Sequence, residues 1–599
     1  MGVGIMKAHR YTMKWDLDVF FKGGSQSKEF KQYVERLEQD AQTFDTEVKE
    51  LPVTDTEAWK KVIRFLQNIG TRLSQAHSFV SCLTAQNVKD EQAKLLQGRL
   101  SQLDAVLHRT GTRLDQKMLE VSEKDWDALL KDSEIQPVSF KLREQRRRAK
   151  EKMAPELESL VGDLSVDGYH AWGDLYDTIV GRMSIPFEED GEVKELSVGQ
   201  ANNKLHSSNR QTRQRAFRQL SEAWEKESDL CASALNHLAG YRLNLYRNRG
   251  WDSVLKEPVE INRMSEATLQ TMWDVISQNK AKILEYMKRK ASLLGLKALS
   301  WYDIYAPVST KEQKVSYDEA ADFITEQFGR FSPAMANFAK TAFELRWIEA
   351  EDRPGKRPGG FCTTFPESGQ SRIFMTYAGT ASNVATLAHE LGHAYHSYVM
   401  RDLPSLARRY SMSVAETAST FAETLVADAA IQHASTKEQK IALLEDKLQR
   451  AVAFFMDIHA RFLFETRFYE KRSKGLLTAA DLNQLTLEAE KEAFQGALEE
   501  YHPHFWASKL HFYITGVPFY NFPYTFGYLF STGIYARAQQ EGPAFADRYV
   551  ALLRDTGSMT VEGLAQKHLG VDLTRPDFWQ TAIRVVHEDV DRFLQLTEK

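Results

Sequence analysis

Between Leu387 and His396 the chain reads LAHELGHAYH, and His389-Glu390-Leu391-Gly392-His393 within it matches H-E-x-x-H. Residues four apart on a helix share a face, so His389 and His393 can present two imidazoles to one metal ion. Glu390 sits beside the first histidine, where its carboxylate can reach a water held by the metal rather than the metal itself. A catalytic zinc takes three protein ligands and keeps one position open, so a third ligand is needed. A metzincin would place a histidine six residues after His393; that position is Val399, which excludes the pattern. His396 lies on the same helix, an awkward origin for a third ligand, and reads better as a packing histidine or one that steers a ligand. Glu416 and Glu423 lie farther along. In a helix starting at Ser413 (SVAETASTFAETLVADAA) they are seven apart and face one way. Glu416 is the candidate ligand, yet Ser413-Val414-Ala415-Glu416 reads equally as a capping box with the glutamate folded back on the helix start.

The elements around these residues must hold them in place. Ser371–Tyr377 (SRIFMTY) reads as a strand, and Gly379-Thr380-Ala381-Ser382 turns from it into the histidine helix. The edge of that strand can pair with an extended peptide above the metal. Glu351–Gly360 (EDRPGKRPGG) is a loop. Near the N-terminus Phe30, Val34, Leu37, Ala41, Phe44, Val48 and Leu51 alternate spacings of four and three, which predicts an amphipathic helix over 27–51 ended by Pro52. Helical spacing continues in Trp59–Leu73, Ala85–Leu107 and Trp126–Leu130, so residues 1 to about 200 are expected to form antiparallel helices. Met183–Val198 changes character: two short segments flank Asp190-Gly191, a hairpin turn signal. The expected division is an N-terminal helical domain over 1–200 and a catalytic domain over 201–599. Strand–helix alternation is too scarce for a doubly wound sheet. The fold class is therefore mainly α, with a small β-sheet beside the H-E-x-x-H helix.

Composition narrows the function classes. Of 599 residues, 27% are charged and 43% hydrophobic, as in an ordinary soluble globular protein. A net charge of −5 gives no footprint for nucleic acid or an anionic membrane. Arg146-Arg147-Arg148 with Lys150 and Lys152 is interleaved with glutamates and reads as a solvated helix face; Arg210, Arg213 and Arg215 read as surface ion pairs rather than a peptide-carboxylate site. The three cysteines, Cys82, Cys231 and Cys362, are scattered and odd in number, which fits a reducing cytoplasm. Cys362 is a candidate buried thiol near the site. The N-terminus lacks an apolar leader, Gly2-Val3-Gly4 follows no strand, and no apolar run is long enough to cross a membrane.

HELGH followed after 23 residues by Glu416 within AETASTFAET resembles the oligoendopeptidase F family of thimet-oligopeptidase-like zinc peptidases. The resemblance runs from about residue 200 to the C-terminus and is strongest over 360–430 and 511–531. It implies one zinc held by His389, His393 and Glu416, with Glu390 as general base, and it favours the ligand role of Glu416 over the cap. It makes Glu423 either a carboxylate that steers a ligand histidine or a member of a surface or core ion pair. Over His511–Ser531 (HFYITGVPFYNFPYTFGYLFS) it implies a histidine and tyrosines that stabilise the oxyanion: Tyr528 aligns best, His511 and Tyr520 follow, and Tyr524 could replace Tyr520. It also implies an elongated helical protein with a deep channel that admits oligopeptides and cleaves their internal bonds. A zinc carboxypeptidase on the same ligands, and a non-enzymatic helical binding protein, are the alternatives.

Overall fold

The computed structural model describes residues 10–189, 191–309 and 314–598. Gly2-Val3-Gly4 and Asp190 lie outside the described residues. The chain is mainly helical, as the spacing predicts. Among the described residues there are five strands, none longer than five residues. They are β1 (Ile185–Glu189), β2 (Glu192–Leu196), β3 (Ile348–Glu349), β4 (Phe361–Phe365) and β5 (Gln370–Phe374). No helix among the described residues is long and apolar enough to cross a membrane.

Two compact units share the chain. The first comprises Met1–Lys152, Gln313–Ala429 and Arg537–Gly570; the second comprises Met153–Glu312, Ala430–Ala536 and Val571–Lys599. These units interleave along the sequence, whereas the division expected near residue 200 is linear.

The first unit opens with the helix Lys28–Lys49, whose N-cap Ser27 accepts from the Phe30 N–H. Its buried seam is Phe30, Tyr33, Val34, Leu37, Ala41, Phe44 and Val48. Each fully buried aliphatic or phenyl side chain of this kind contributes about 1.5–3 kcal/mol. Two further helices, Thr56–Gln86 and Glu91–Glu120, pack with it. The break between them corrects the expectation of one helical stretch over Ala85–Leu107. Asp90 stops the run because its carboxylate caps the Ala93 N–H. The basic run also differs from its reading as a solvated face. Arg147 and Arg148 do pair with Glu151 and Glu144, but Arg146 is buried and donates to the carbonyls of Met118 and Val121.

The sheet of this unit has the order β3-β5-β4, with β3 parallel and β4 antiparallel to β5. The SRIFMTY strand is thus shorter than expected and central. Both its edges are taken, so the edge pairing expected of it is not open; the outer strand on the other side from β3 is β4, from FCTTF, which sequence spacing did not single out. The helix Thr56–Gln86 braces β4 where Ser78 Oγ donates to the Thr364 carbonyl at 2.6 Å.

In the second unit β1 and β2 pair as the expected antiparallel hairpin, with Gly191 at φ +81°. A positive φ is accessible to glycine at little cost, which is why the turn falls there. The helix Arg210–Asn248 carries Arg210 and Arg213. Both pair with Asp303, whose side chain is fully buried, and Arg213 is buried too. These arginines are therefore interior ties rather than surface pairs. Arg215 donates to the Glu188 carbonyl of β1.

Candidate metal centre

The helix Ala381–Val399 carries the motif. It starts where the turn signal predicts: Gly379 takes φ +79°, and Thr380 and Asn383 form a reciprocal capping box. Leu387, Ala388, Leu391 and Ala394 bury one side of the helix. His389 and His393 fall on another, half-buried, with ring centroids 4.9 Å apart.

The third partner comes from a break. The expected helix from Ser413 is two helices, Met412–Ala415 and Thr417–His433, with Glu416 between them. Glu416 has φ −87° and ψ 3°, and its carbonyl accepts the Thr420 N–H at 3.0 Å. Ser413 lies inside the short helix, so the capping box does not form there. The Glu416 carboxylate turns instead to the histidines. Its Oε2 lies 3.1 Å from His389 Nε2 and 3.4 Å from His393 Nε2, and Ser419 Oγ donates to the same oxygen at 2.7 Å. Glu423 Oε2 lies 3.0 Å from His389 Nδ1. One carboxylate thus meets each nitrogen of the His389 ring. Gly392 makes this approach possible: a Cβ there would stand 2.5 Å from the Ala418 carbonyl oxygen and 2.6 Å from Ser419 Cα.

The donor atoms of His389, His393 and Glu416 converge within 4.8 Å of one another. Two imidazoles and a carboxylate suit zinc, among other divalent ions. Burial raises the Glu416 pKa, but the hydrogen bonds and charges of the two histidines outweigh it and hold the carboxyl well below the usual range. Glu390 is the counterpart. Only 7% exposed, it has an Oε2 with no hydrogen-bond partner, and burial raises its pKa despite the neighbouring histidines. An ionisable oxygen left unpaired beside three converging donors marks a place for a water or substrate proton. The residues present therefore fit a catalytic metal.

A cleft of about 430 Å³ opens onto this group and is walled by β4 through Phe361, Cys362 and Thr364. The Cys362 thiol is lifted well above its ordinary pKa by burial and then by Glu390, so it stays protonated. His396 is not part of the converging group. It is fully buried, stacks on Tyr410 at 4.3 Å, and its Nε2 lies 2.9 Å from Thr556 Oγ1; burial pulls its pKa down to about 3.

The aromatic candidates belong to the second unit. His511 and Tyr520 have ring centroids 5.3 Å apart, and Tyr520 and Tyr524 5.9 Å. Tyr528 follows Tyr524 by one turn on the helix Phe522–Glu541 and stacks on Phe454 at 4.6 Å. Burial, then Arg461 and Lys509, pull the His511 pKa down to about 4, and its Nδ1 has no hydrogen-bond partner. Sequence reasoning missed Ser419, Gly392 and β4. Only β4 left a readable signal, in the β-branched and aromatic composition of FCTTF.

Comparisons with known proteins bear on the family and the fold. The family model described as peptidase family M3 matches residues 204–585, and one described as oligopeptidase F matches 117–184. Oligopeptidase PepF of Bacillus subtilis is 26% identical over 69% of this chain, and the match spans 62% of that protein's length. Group B oligopeptidase PepB of Streptococcus agalactiae is 24% identical over 89% of each chain. A putative peptidase from Chlamydophila abortus superposes with a TM-score of 0.84 at 19% identity over 98% of each chain. Oligoendopeptidase-F from Enterococcus faecium gives 0.71 at 17% identity, over 95% of this chain and 99% of its own. With the M3 model covering more than half of the sequence, the chain belongs to peptidase family M3, the metalloendopeptidases that include oligoendopeptidase F.

Proposed function

We propose that this protein is a zinc-dependent endopeptidase that hydrolyses internal bonds of oligopeptides in the cytoplasm. The observation that carries the reading is the convergence of His389, His393 and Glu416 beside the unpaired Glu390 carboxylate. His389, His393 and Glu416 hold the ion. Zinc, when bound, supplies a water acidified from a pKa of 15.7 to about 7 and a polarised scissile carbonyl. Glu423 fixes the tautomer of His389 by accepting at Nδ1, which leaves Nε2 free to ligate. Glu390 takes the proton of the attacking water and passes it to the leaving amine. Burial raises its pKa, the direction that makes a carboxylate a better proton acceptor. β4 walls the cleft through Phe361 and Cys362 and aligns an extended peptide there, short of Thr364, whose carbonyl Ser78 holds. Tyr528, with His511 and Tyr520 as further candidates, donates to the developing oxyanion. The family models end at residue 184 and begin again at 204, on either side of the β1–β2 hairpin. That supports 1–200 and 201–599 as a division by descent, distinct from the interleaved units.

Cleavage-site mapping by mass spectrometry on a mixed peptide library, with and without chelator, tests the reading. Internal cuts in end-blocked peptides, abolished by chelation, are expected. Removal of single C-terminal residues alone would favour a carboxypeptidase. Glu390→Gln is expected to keep its metal and lose nearly all turnover; a clean preparation that still cleaves peptides would sink the mechanism.

A further inference from the structure

The cleft at the metal group has a neighbour. Thr364, Ser397 and Tyr410 line it and also line a second cavity of about 390 Å³, so the two hollows share a wall. Thr364 Oγ1 donates to Ser397 Oγ at 2.8 Å within that wall. Ser397 follows His389 and His393 at spacings of four, on the same face of the helix.

The second cavity is lined by Arg401, Arg408 and Arg409 and by no aspartate or glutamate. In a chain of net charge −5 this is a local reversal of sign. Arg401 donates to the Tyr398 carbonyl at 2.7 Å and lies over the Tyr398 ring, 3.7 Å from its centroid. Arg408 donates to the Leu403 carbonyl at 2.6 Å. Among the described residues none of the three is ion-paired, and Arg409 has no hydrogen bond either. Asp402, the acidic residue beside them in sequence, is held by Arg554 through contacts of 2.6 and 3.0 Å. The Arg409 guanidinium rests against Gly70, where a Cβ would stand 3.0 Å from Nη2. Desolvation lowers the pKa of both Arg408 and Arg409, for Arg409 although the residue as a whole is exposed. Asp402 still acts on Arg401 and Arg408 at longer range, but it lies outside the cavity lining and is bound to Arg554. Guanidinium groups clustered in a concavity with no carboxylate in its lining concentrate anions, and their planar donors match a carboxylate.

We infer that this cavity is a subsite for a carboxylate of the bound peptide, held by Arg401, Arg408 and Arg409 while the scissile bond lies at the metal group. The inference rests on the peptidase reading and adds a specificity element to it. Thr364 of β4 lines both hollows, so a peptide lying along β4 from the metal group runs toward this cavity. The carboxylate is either the C-terminus or an aspartate or glutamate side chain on that side of the reacting bond.

The test uses matched peptides with a free C-terminus, with an amidated C-terminus, and amidated with glutamate placed at each position in turn. Cleavage is measured on the holoprotein and on Arg401→Gln/Arg409→Gln. Binding is measured by calorimetry with the same peptides on the Glu390→Gln holoprotein, with and without the two arginine substitutions. Carboxylate peptides are expected to bind and react about tenfold or more better than neutral ones, through KM rather than kcat. The double arginine variant erases that advantage and leaves the neutral peptide unchanged, which also reports an intact fold. The free and amidated arms identify the source of the carboxylate. Equal handling of carboxylate and neutral peptides, or an equal loss for both in the double variant, overturns the subsite. A binding preference without any cleavage by the parent protein supports the subsite and overturns the peptidase reading instead.

Discussion

The metal group and the aromatic cluster are assembled by different means. His389, His393, Glu416 and Glu423 lie on two stretches of chain less than forty residues apart and hold one another at 3.0–3.4 Å. Helix periodicity sets the histidines and direct polar contact sets the glutamates. Around His511, Tyr520, Tyr524 and Tyr528 ring contacts are prominent, at centroid distances above 5 Å or as stacking on neighbours such as Phe454. Polar contacts specify individual atoms, whereas ring packing specifies only a region. On the proposed roles, substitutions in the first group are expected to change metal binding, and those in the second to change turnover with the metal retained.

That contrast is broken or sharpened most strongly by Glu416→Ala. Metal content is expected to fall from about one per chain to near zero, with activity lost alongside it, by elemental analysis and peptide assay. Full metal retention in this variant would remove Glu416 from the ligand set. Next in size is Tyr528→Phe, expected to lower kcat by ~100–1,000-fold with metal content unchanged. If Tyr524→Phe or His511→Ala carries that loss instead, the oxyanion donor moves to another ring of the cluster. Glu423→Gln is expected to weaken metal affinity about 10–100-fold, read by competition with a chelator, because the His389 ring loses its orienting acceptor.

The smallest effect is on stability against pH. His396, with a folded pKa near 3 against an ordinary 6.5, resists protonation only when folded. Below pH 6.5 the unfolded chain binds the extra proton, so stability falls as pH drops from 6.5 toward 3. His511, near 4 when folded, acts with the same sign. Glu465, pushed up to about 8 by burial, acts oppositely: its contribution is complete below 4.5 and is lost as pH rises through 8. Melting temperature against pH is expected to decline on the acid side from about 6.5. A His511→Phe variant is expected to flatten that limb by a few degrees.

Local pattern made much of the molecule legible. The helix Lys28–Lys49, the hairpin at Gly191 and the histidine helix follow from spacing and turn residues alone. Glu416 did not: spacing permitted both cap and ligand, and the helix break that turns its carboxylate toward the histidines is not written in that spacing. β5 was read as a strand, but its central place in the sheet depends on β3 and β4, which pair with it across intervening loops. Arg146 and Arg213 look like surface charges in sequence. Their burial depends on backbone carbonyls and on Asp303, which lie far from them along the chain. Periodicity reports which way a residue faces on its own element and says little about what that element is packed against.

Gly392 gives the H-E-x-x-H signature a further meaning. The residue before the second histidine offers no donor atom, yet its missing methyl lets two backbones touch, and that touch sets how far Glu416 stands from the imidazoles. The site behaves like a vice whose jaw width is set by a shim. Changing the shim, with every ligand left in place, is a route to retuning which ion the jaws grip.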